Sequence, residues 1–130
     1  MKKKDAIGLG FAMDGIKSAF RSERNLKIHC CIAAIVLVMA GVFRFSINEW
    51  VLLVLTIGLV LVAELINTAI EATVDLVCED VLEGQLKSDG YREKAKLAKD
   101  VGAGAVLVAA VVACIVGVVL FLPKILGCIL

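Results

Sequence analysis

Several familiar devices are missing from this 130-residue chain. It has no GxxxxGK[ST] loop and no protein-kinase-type GxGxxG, so any nucleotide it uses is not held by a familiar soluble fold. Gly8-Leu9-Gly10 and Gly102-Ala103-Gly104 are too short for that work and read as helix-packing glycines. The five cysteines (Cys30, Cys31, Cys78, Cys114, Cys128) show no CxxC spacing, and four lie in apolar stretches. They read as small hydrophobes in a reducing or lipid setting. His29 beside Cys30 and Cys31 makes a poor zinc site, because adjacent residues on a helix diverge. A net charge of +1 offers no case for nucleic acid as a partner. Lys2, Lys3 and Lys4 look like the basic start of a signal peptide, but Asp5, Asp14 and three glycines follow and no apolar core develops. Cleavage is therefore not expected. A chain of this length also leaves no room for a soluble nucleotide-binding domain beside its apolar segments.

What the chain has in excess is apolar surface. Its hydrophobic share is 61%, against the 45–50% typical of a soluble domain. Three spans are expected, at about 28–43, 50–77 and 101–122. Trp50 opens the second like an interfacial anchor, and the third is uncharged until Pro123, where it is expected to close. Ala105, Ala109, Ala113 and Gly117 recur every fourth residue along it, a small-residue stripe suited to close packing. Before the first span, residues of about 5–22 place Leu9, Met13, Ile16 and Phe20 on one side and Asp14, Lys17, Ser18 and Arg21 on the other. That pattern predicts an amphipathic helix in the membrane interface, followed by a polar hinge at 22–27. Residues 78–100 are the one long polar segment and read as helix extension, turn and helix approach, with Ser88-Asp89-Gly90 as the strongest turn signal. The fold class expected is an all-α membrane protein, a single domain over 1–130 with three transmembrane helices and an N-terminal interfacial helix.

Charge orients it. Seven Lys or Arg residues precede the first span and five lie between the second and third, while Arg44 and Lys124 stand alone on the other side. Positive-inside bias puts the N-terminus and the 78–100 segment in the cytoplasm, as in a multi-pass protein of the plasma (inner) membrane.

One stretch carries chemistry. Glu64, Asn67, Glu71 and Asp75 fall at about 0°, 300°, 340° and 20° around a helix, so all four share an arc of roughly 80°. Ionisable groups on an otherwise membrane-like helix are costly and mark a site by default. A helix merely leaving the membrane would explain Asp75, and even Glu71, but not Glu64 and Asn67 on the same stripe. Glu71 lies about 31 Å along the helix from Trp50, at the inner boundary, and Glu64 about 10 Å deeper. Carboxylates at an aqueous edge suit Mg²⁺, which takes one or two of them together with waters and substrate phosphates. A deeper carboxylate suits a proton acceptor for a lipid hydroxyl. The topology brings Glu23 at the foot of span one, and Lys99-Asp100 at the foot of span three, to the same level. Lys99 there is suited to phosphate as a point charge.

Glu64-Leu65-Ile66-Asn67-Thr68-Ala69-Ile70-Glu71 with Asp75, preceded by Glu23-Arg24-Asn25 and followed by Ala98-Lys99-Asp100, resembles the signature of the bacterial integral-membrane diacylglycerol kinase and undecaprenol kinase family. Phe121-Leu122-Pro123-Lys124 and Glu23-Arg24-Asn25 look more like its Gram-positive undecaprenol kinases. The resemblance covers residues of about 8–123. It implies a homotrimer with sites shared between subunits, and ATP- and Mg²⁺-dependent phosphorylation of a membrane lipid alcohol, undecaprenol rather than diacylglycerol. By position, Glu64 matches the catalytic base, and Glu23 and Glu71 match the carboxylates that hold the metal on ATP. Asn67, Tyr91, Lys99 and Asp100 match positions around the nucleotide and reacting groups. The segment between Asp75 and Tyr91 is longer than in the family pattern, which loosens the match of Gly90, Tyr91 and Arg92 to nucleotide contacts. Lys4 and Phe11 loosely match its basic and aromatic nucleotide contacts. The reading from another class is a non-enzymatic membrane assembly or proton-linked transporter subunit, with the stripe as an ion path. That reading needs neither Glu23 nor Lys99-Asp100.

Overall fold

The computed structural model describes residues 8–82 and 89–129. They form four helices: α1 (Gly8–Ser22), α2 (Arg24–Val42), α3 (Ile47–Leu82) and α4 (Asp89–Ile129). Helices α2, α3 and α4 are each long and apolar enough to cross a membrane. Their outward faces carry aliphatics such as Val38, Leu55, Leu107 and Val119 with half or more of their surface exposed. In water such a surface would be a liability, whereas in hydrocarbon it is ordinary solvent contact. This is a multi-pass membrane protein.

The turn between α2 and α3 is written in local chemistry. Phe43 caps α2, and the next two amides fold back, Arg44 N–H to the Gly41 carbonyl and Phe45 N–H to that of Ala40, each at 3.1 Å. That is the Schellman pattern, and it puts Arg44 at φ 51°, a left-handed conformation costing a non-glycine residue roughly 1–2 kcal/mol. Ser46 then starts α3 with a capping box. Its amide and hydroxyl donate to the Glu49 carboxylate at 2.6 and 2.8 Å, and the Glu49 amide reaches back to the Ser46 hydroxyl at 3.4 Å. Phe45 before the cap meets Trp50 after it, ring centroids 6.4 Å apart, as a hydrophobic staple. Phe45 also packs with Ala40, Leu53, Leu120 and Phe121 into the buried cluster that ties the three spans together at this end.

Helix ends differ from the expected spans. α2 begins at Arg24 rather than 28, and α3 runs from Ile47 to Leu82 rather than from 50 to 77. The extension of α3 to Leu82 and the start of α4 at Asp89 follow the helix extension and helix approach expected within 78–100, but Gly90 is helical rather than part of the turn, and Ser88 lies outside the described residues. Hydropathy marks where lipid stops, whereas a helix stops only where the backbone is broken. Pro123 does not close α4, which continues to Ile129. Contacts on both sides hold it: Phe121 packs against Phe43 and Phe45, and Lys124 reaches Glu49 at 3.2 Å. Proline within a membrane helix is tolerated where neighbours hold the structure in this way. The polar hinge at 22–27 narrows to Glu23 alone, at φ −92° and ψ 117°. Before it, the Ser22 hydroxyl donates to the Ser18 and Ala19 carbonyls, and the Lys27 ammonium caps the Arg21 carbonyl at 2.9 Å. α1 folds back here, burying Ala19 and leaving Leu9, Met13, Ile16 and Phe20 exposed.

The small-residue stripe of α4 is engaged within the chain only in part. Ala109 is buried beside α3, Ala113 and Gly117 face a cavity between α2, α3 and α4, and Ala105 is exposed.

Candidate functional site

α3 carries the polar stripe without a break, and burial falls along it. Glu64 is 3% exposed and Asn67 8%, Glu71 is half-buried, and the Asp75 side chain is 57% exposed. The hydroxyls nearby are already engaged. Thr56, Thr68 and Thr73 donate to the carbonyls of Leu52, Glu64 and Ala69, one turn back on their own helix. The chemistry is left to the carboxylates, the amide and what faces them.

Each member of the stripe meets a partner. Lys99 of α4 donates to both Asp75 oxygens, at 2.9 and 3.2 Å. Asn67 donates through Nδ2 to Glu71 Oε1 at 3.0 Å, which holds that carboxylate from the buried side. The other amide atom, Oδ1, is buried without a partner and points at Gly102 of α4. Rotating the amide would set its oxygen against the carboxylate, so the Glu71 bond decides the orientation. A Cβ at position 102 would lie 2.5 Å from Oδ1, so any larger residue there must displace the Asn67 amide. Gly102→Ala is accordingly expected to cost about 1–3 kcal/mol of stability and to displace Asn67 from Glu71. Gly104→Ala, which meets nothing within 4 Å, is the matched control. Thermal unfolding in detergent with turnover on both variants checks this, and equal behaviour of the pair would refute it.

At the deep end, Glu64 faces α2. Its Oε1 stands 3.3 Å from Nε2 of His29. Sequence reasoning weighed His29 only as a zinc ligand beside the cysteines and missed this pairing, which depends on how α2 and α3 are rotated against each other.

The acidic groups at the shallow end share one cavity. A space of about 640 Å³ lies between α1 and α3, within the range of small-molecule sites. Glu23, Glu71 and Asp75 line it, with Ala12, Gly15 and Ala19 of α1 opposite. The local fold places Glu23 there: it is the single residue between two helices, and its side chain makes no capping hydrogen bond. Among the described residues no cluster of three or more His, Cys, Asp or Glu side chains stands ready to hold a metal. Two carboxylates on one cavity nevertheless match what Mg²⁺ takes from a protein when phosphates supply the rest.

The remaining expected site residues disperse. Tyr91 lines a separate cleft of about 360 Å³ between α3 and α4, with Cys78 and Lys94. Gly90, Arg92 and Asp100 are exposed on α4, and Phe11 is 72% exposed on α1. Lys4 lies outside the described residues. Glu64 does not line the cavity of Glu23 and Glu71.

A three-span bundle with a buried carboxylate below an acidic cavity large enough for a small molecule fits the frame of a membrane-embedded phosphotransferase. The model of the prokaryotic diacylglycerol kinases matches residues 10–121, and the chain belongs to that family. It is 44% identical over 110 residues to the undecaprenol kinase of Bacillus subtilis, covering 85% of this chain and 81% of that one. A diacylglycerol kinase of Synechocystis is 40% identical over 121 residues, 93% of this chain and 64% of that protein. The diacylglycerol kinase of Escherichia coli is 30% identical over 106 residues, 82% of this chain and 79% of that one. The protein is a lipid kinase that takes its phosphoryl group from ATP. Membership removes the transporter reading.

Proposed function

We propose that this kinase phosphorylates undecaprenol or a closely similar polyprenol, at the cytoplasmic face of the plasma membrane, as a single unit over residues 1–130. The likeness to the Bacillus undecaprenol kinase favours the polyprenol. The observation that carries the mechanism is the division of the acidic stripe, with Glu64 buried and Glu23 and Glu71 together on an open cavity. Glu64 is the base that accepts the proton of the lipid hydroxyl. Asn67 acts with it, holding Glu71 in place. Glu23 and Glu71 hold Mg²⁺, which when bound neutralises charge on the ATP phosphates. Lys99 exchanges Asp75 for phosphate, and Asp100, Gly90, Tyr91, Arg92, Lys4 and Phe11 contribute contacts to the nucleotide. α1 lies in the interface with Leu9, Met13, Ile16 and Phe20 toward the lipid.

Glu64 and Glu71 are about 10 Å apart along α3, and Glu64 does not line the acidic cavity of its own chain. That separation supports sites completed between neighbours in a homotrimer. The Synechocystis and Escherichia relatives keep diacylglycerol as the second reading. Purified protein given Mg-ATP and each lipid alcohol separately decides between them. A C55-type prenol is expected to outcompete diacylglycerol in kcat/KM, and the reverse order would make this a diacylglycerol kinase.

A further inference from the structure

Glu64 is an acceptor-only group when ionised and is 3% exposed. A buried carboxylate without a donor is costly, and a base that swings freely loses the alignment that proton transfer needs. The side chain placed to supply both is His29, one and a half turns into α2, with Nε2 at 3.3 Å from Oε1. The imidazole is itself only 23% exposed. Its other side faces an apolar cavity of about 390 Å³ between α2, α3 and α4, whose neighbouring wall residues are Ile32, Ala33, Thr56 and Val60. The Thr56 hydroxyl donates its one proton to the Leu52 carbonyl on its own helix. His29 lines this cavity and Glu64 does not, so the imidazole touches both the buried carboxylate and the apolar space.

We propose that His29 is a positioning residue for the reaction. Its Nε2–H donates to Glu64 Oε1, fixing the side-chain rotamer and leaving Oε2 to take the proton of the lipid hydroxyl. Separations of this size in a ligand-free site commonly shorten when the reacting groups are bound. The assignment rests on the reading of Glu64 as the base and gives that base a second helix to hold it. The junction before α2 and α2 itself thereby serve the two ends of the site, Glu23 at the nucleotide and His29 at the lipid hydroxyl.

The test uses the full-length protein in detergent–lipid micelles, with turnover measured at saturating Mg-ATP and lipid. His29→Leu is expected to lower kcat about 10-fold or more while the KM for ATP stays within about twofold, as for an interaction made in the transition state. His29→Gln keeps an N–H donor at similar reach and is expected to recover most of the lost kcat. The double variant His29→Leu/Glu64→Gln is expected to be no slower than Glu64→Gln alone, because a residue acting through Glu64 has nothing left to act on. Full multiplication of the two losses would overturn the proposal, as would a His29→Leu enzyme with normal kcat. A His29→Gln variant as slow as His29→Leu would also overturn it, since a donor would then not be what the site requires. If Glu64→Gln itself retains normal turnover, the base assignment fails rather than the His29 contact alone, so the two failures are told apart.

Discussion

Glu64→Gln is expected to lower turnover by about 10² or more, the usual scale for losing a general base, while ATP binding and assembly stay intact. The amide is nearly isosteric and can still meet His29, so the bundle should hold its shape. It cannot take a proton. The argument comes from burial as much as from resemblance: Glu64 is the most buried charged residue of the chain's described part, at a depth where a lipid hydroxyl would lie. Evolution towards stability alone would favour an aliphatic residue there, since an ionisable group inside a membrane helix is costly. Steady-state kinetics, with nucleotide binding measured separately, checks the split. Turnover close to wild type would remove Glu64 from the mechanism.

Glu23→Ala and Glu71→Ala are each expected to weaken Mg²⁺-dependent ATP binding by about 10–100-fold or more, with lipid binding little changed. Both line the same cavity, and among the described residues neither carboxylate is consumed by an ion pair. Calorimetric titration of Mg-ATP against each variant reads the effect directly, and wild-type affinity in both would end the metal assignment. Mixing experiments sharpen it. If a site takes its base from one chain and its metal ligands from a neighbour, dissociating and reassembling Glu64→Gln with Glu23→Ala protomers should restore activity. A random equal mixture would recover about a quarter of wild-type turnover, the chance that both good residues meet at one site. Glu23→Ala mixed with Glu71→Ala should stay inactive, because those two line one cavity within one chain. Mixtures of the first kind as dead as their parents would leave the site within a single protomer.

Much of this was legible before any coordinates. The three spans, the polar stripe and the acidic foot follow from periodicity and charge, because in lipid every backbone group must be satisfied within its own helix. A spanning helix therefore has little freedom to be anything else. The start of α3 is local in its chemistry too, since Ser46 and Glu49 carry its capping box and Phe45 and Trp50 its staple within six residues. Hydropathy marks the lipid-spanning part of each helix and not its ends. Nothing between Val77 and Leu82 breaks the backbone, and leaving the bilayer is no reason for a helix to stop.

What the sequence by itself determined was which residues share a face and at what depth, since helix pitch converts spacing directly into angle and height. What only the tertiary structure decided was which faces meet. His29 opposite Glu64, Asn67 over Gly102, Asp75 against Lys99, and Ala109 buried beside α3 are all contacts between helices. Each depends on the rotation of one helix about its axis relative to another. In lipid that rotation is chosen by close fit and a few polar contacts rather than by burying apolar surface. Those terms exist only between side chains far apart in the chain, so no local pattern encodes them. Pro123 shows the same division: its ring signals a helix end locally, and the packing of Phe121 and the reach of Lys124 to Glu49 carry the helix past it.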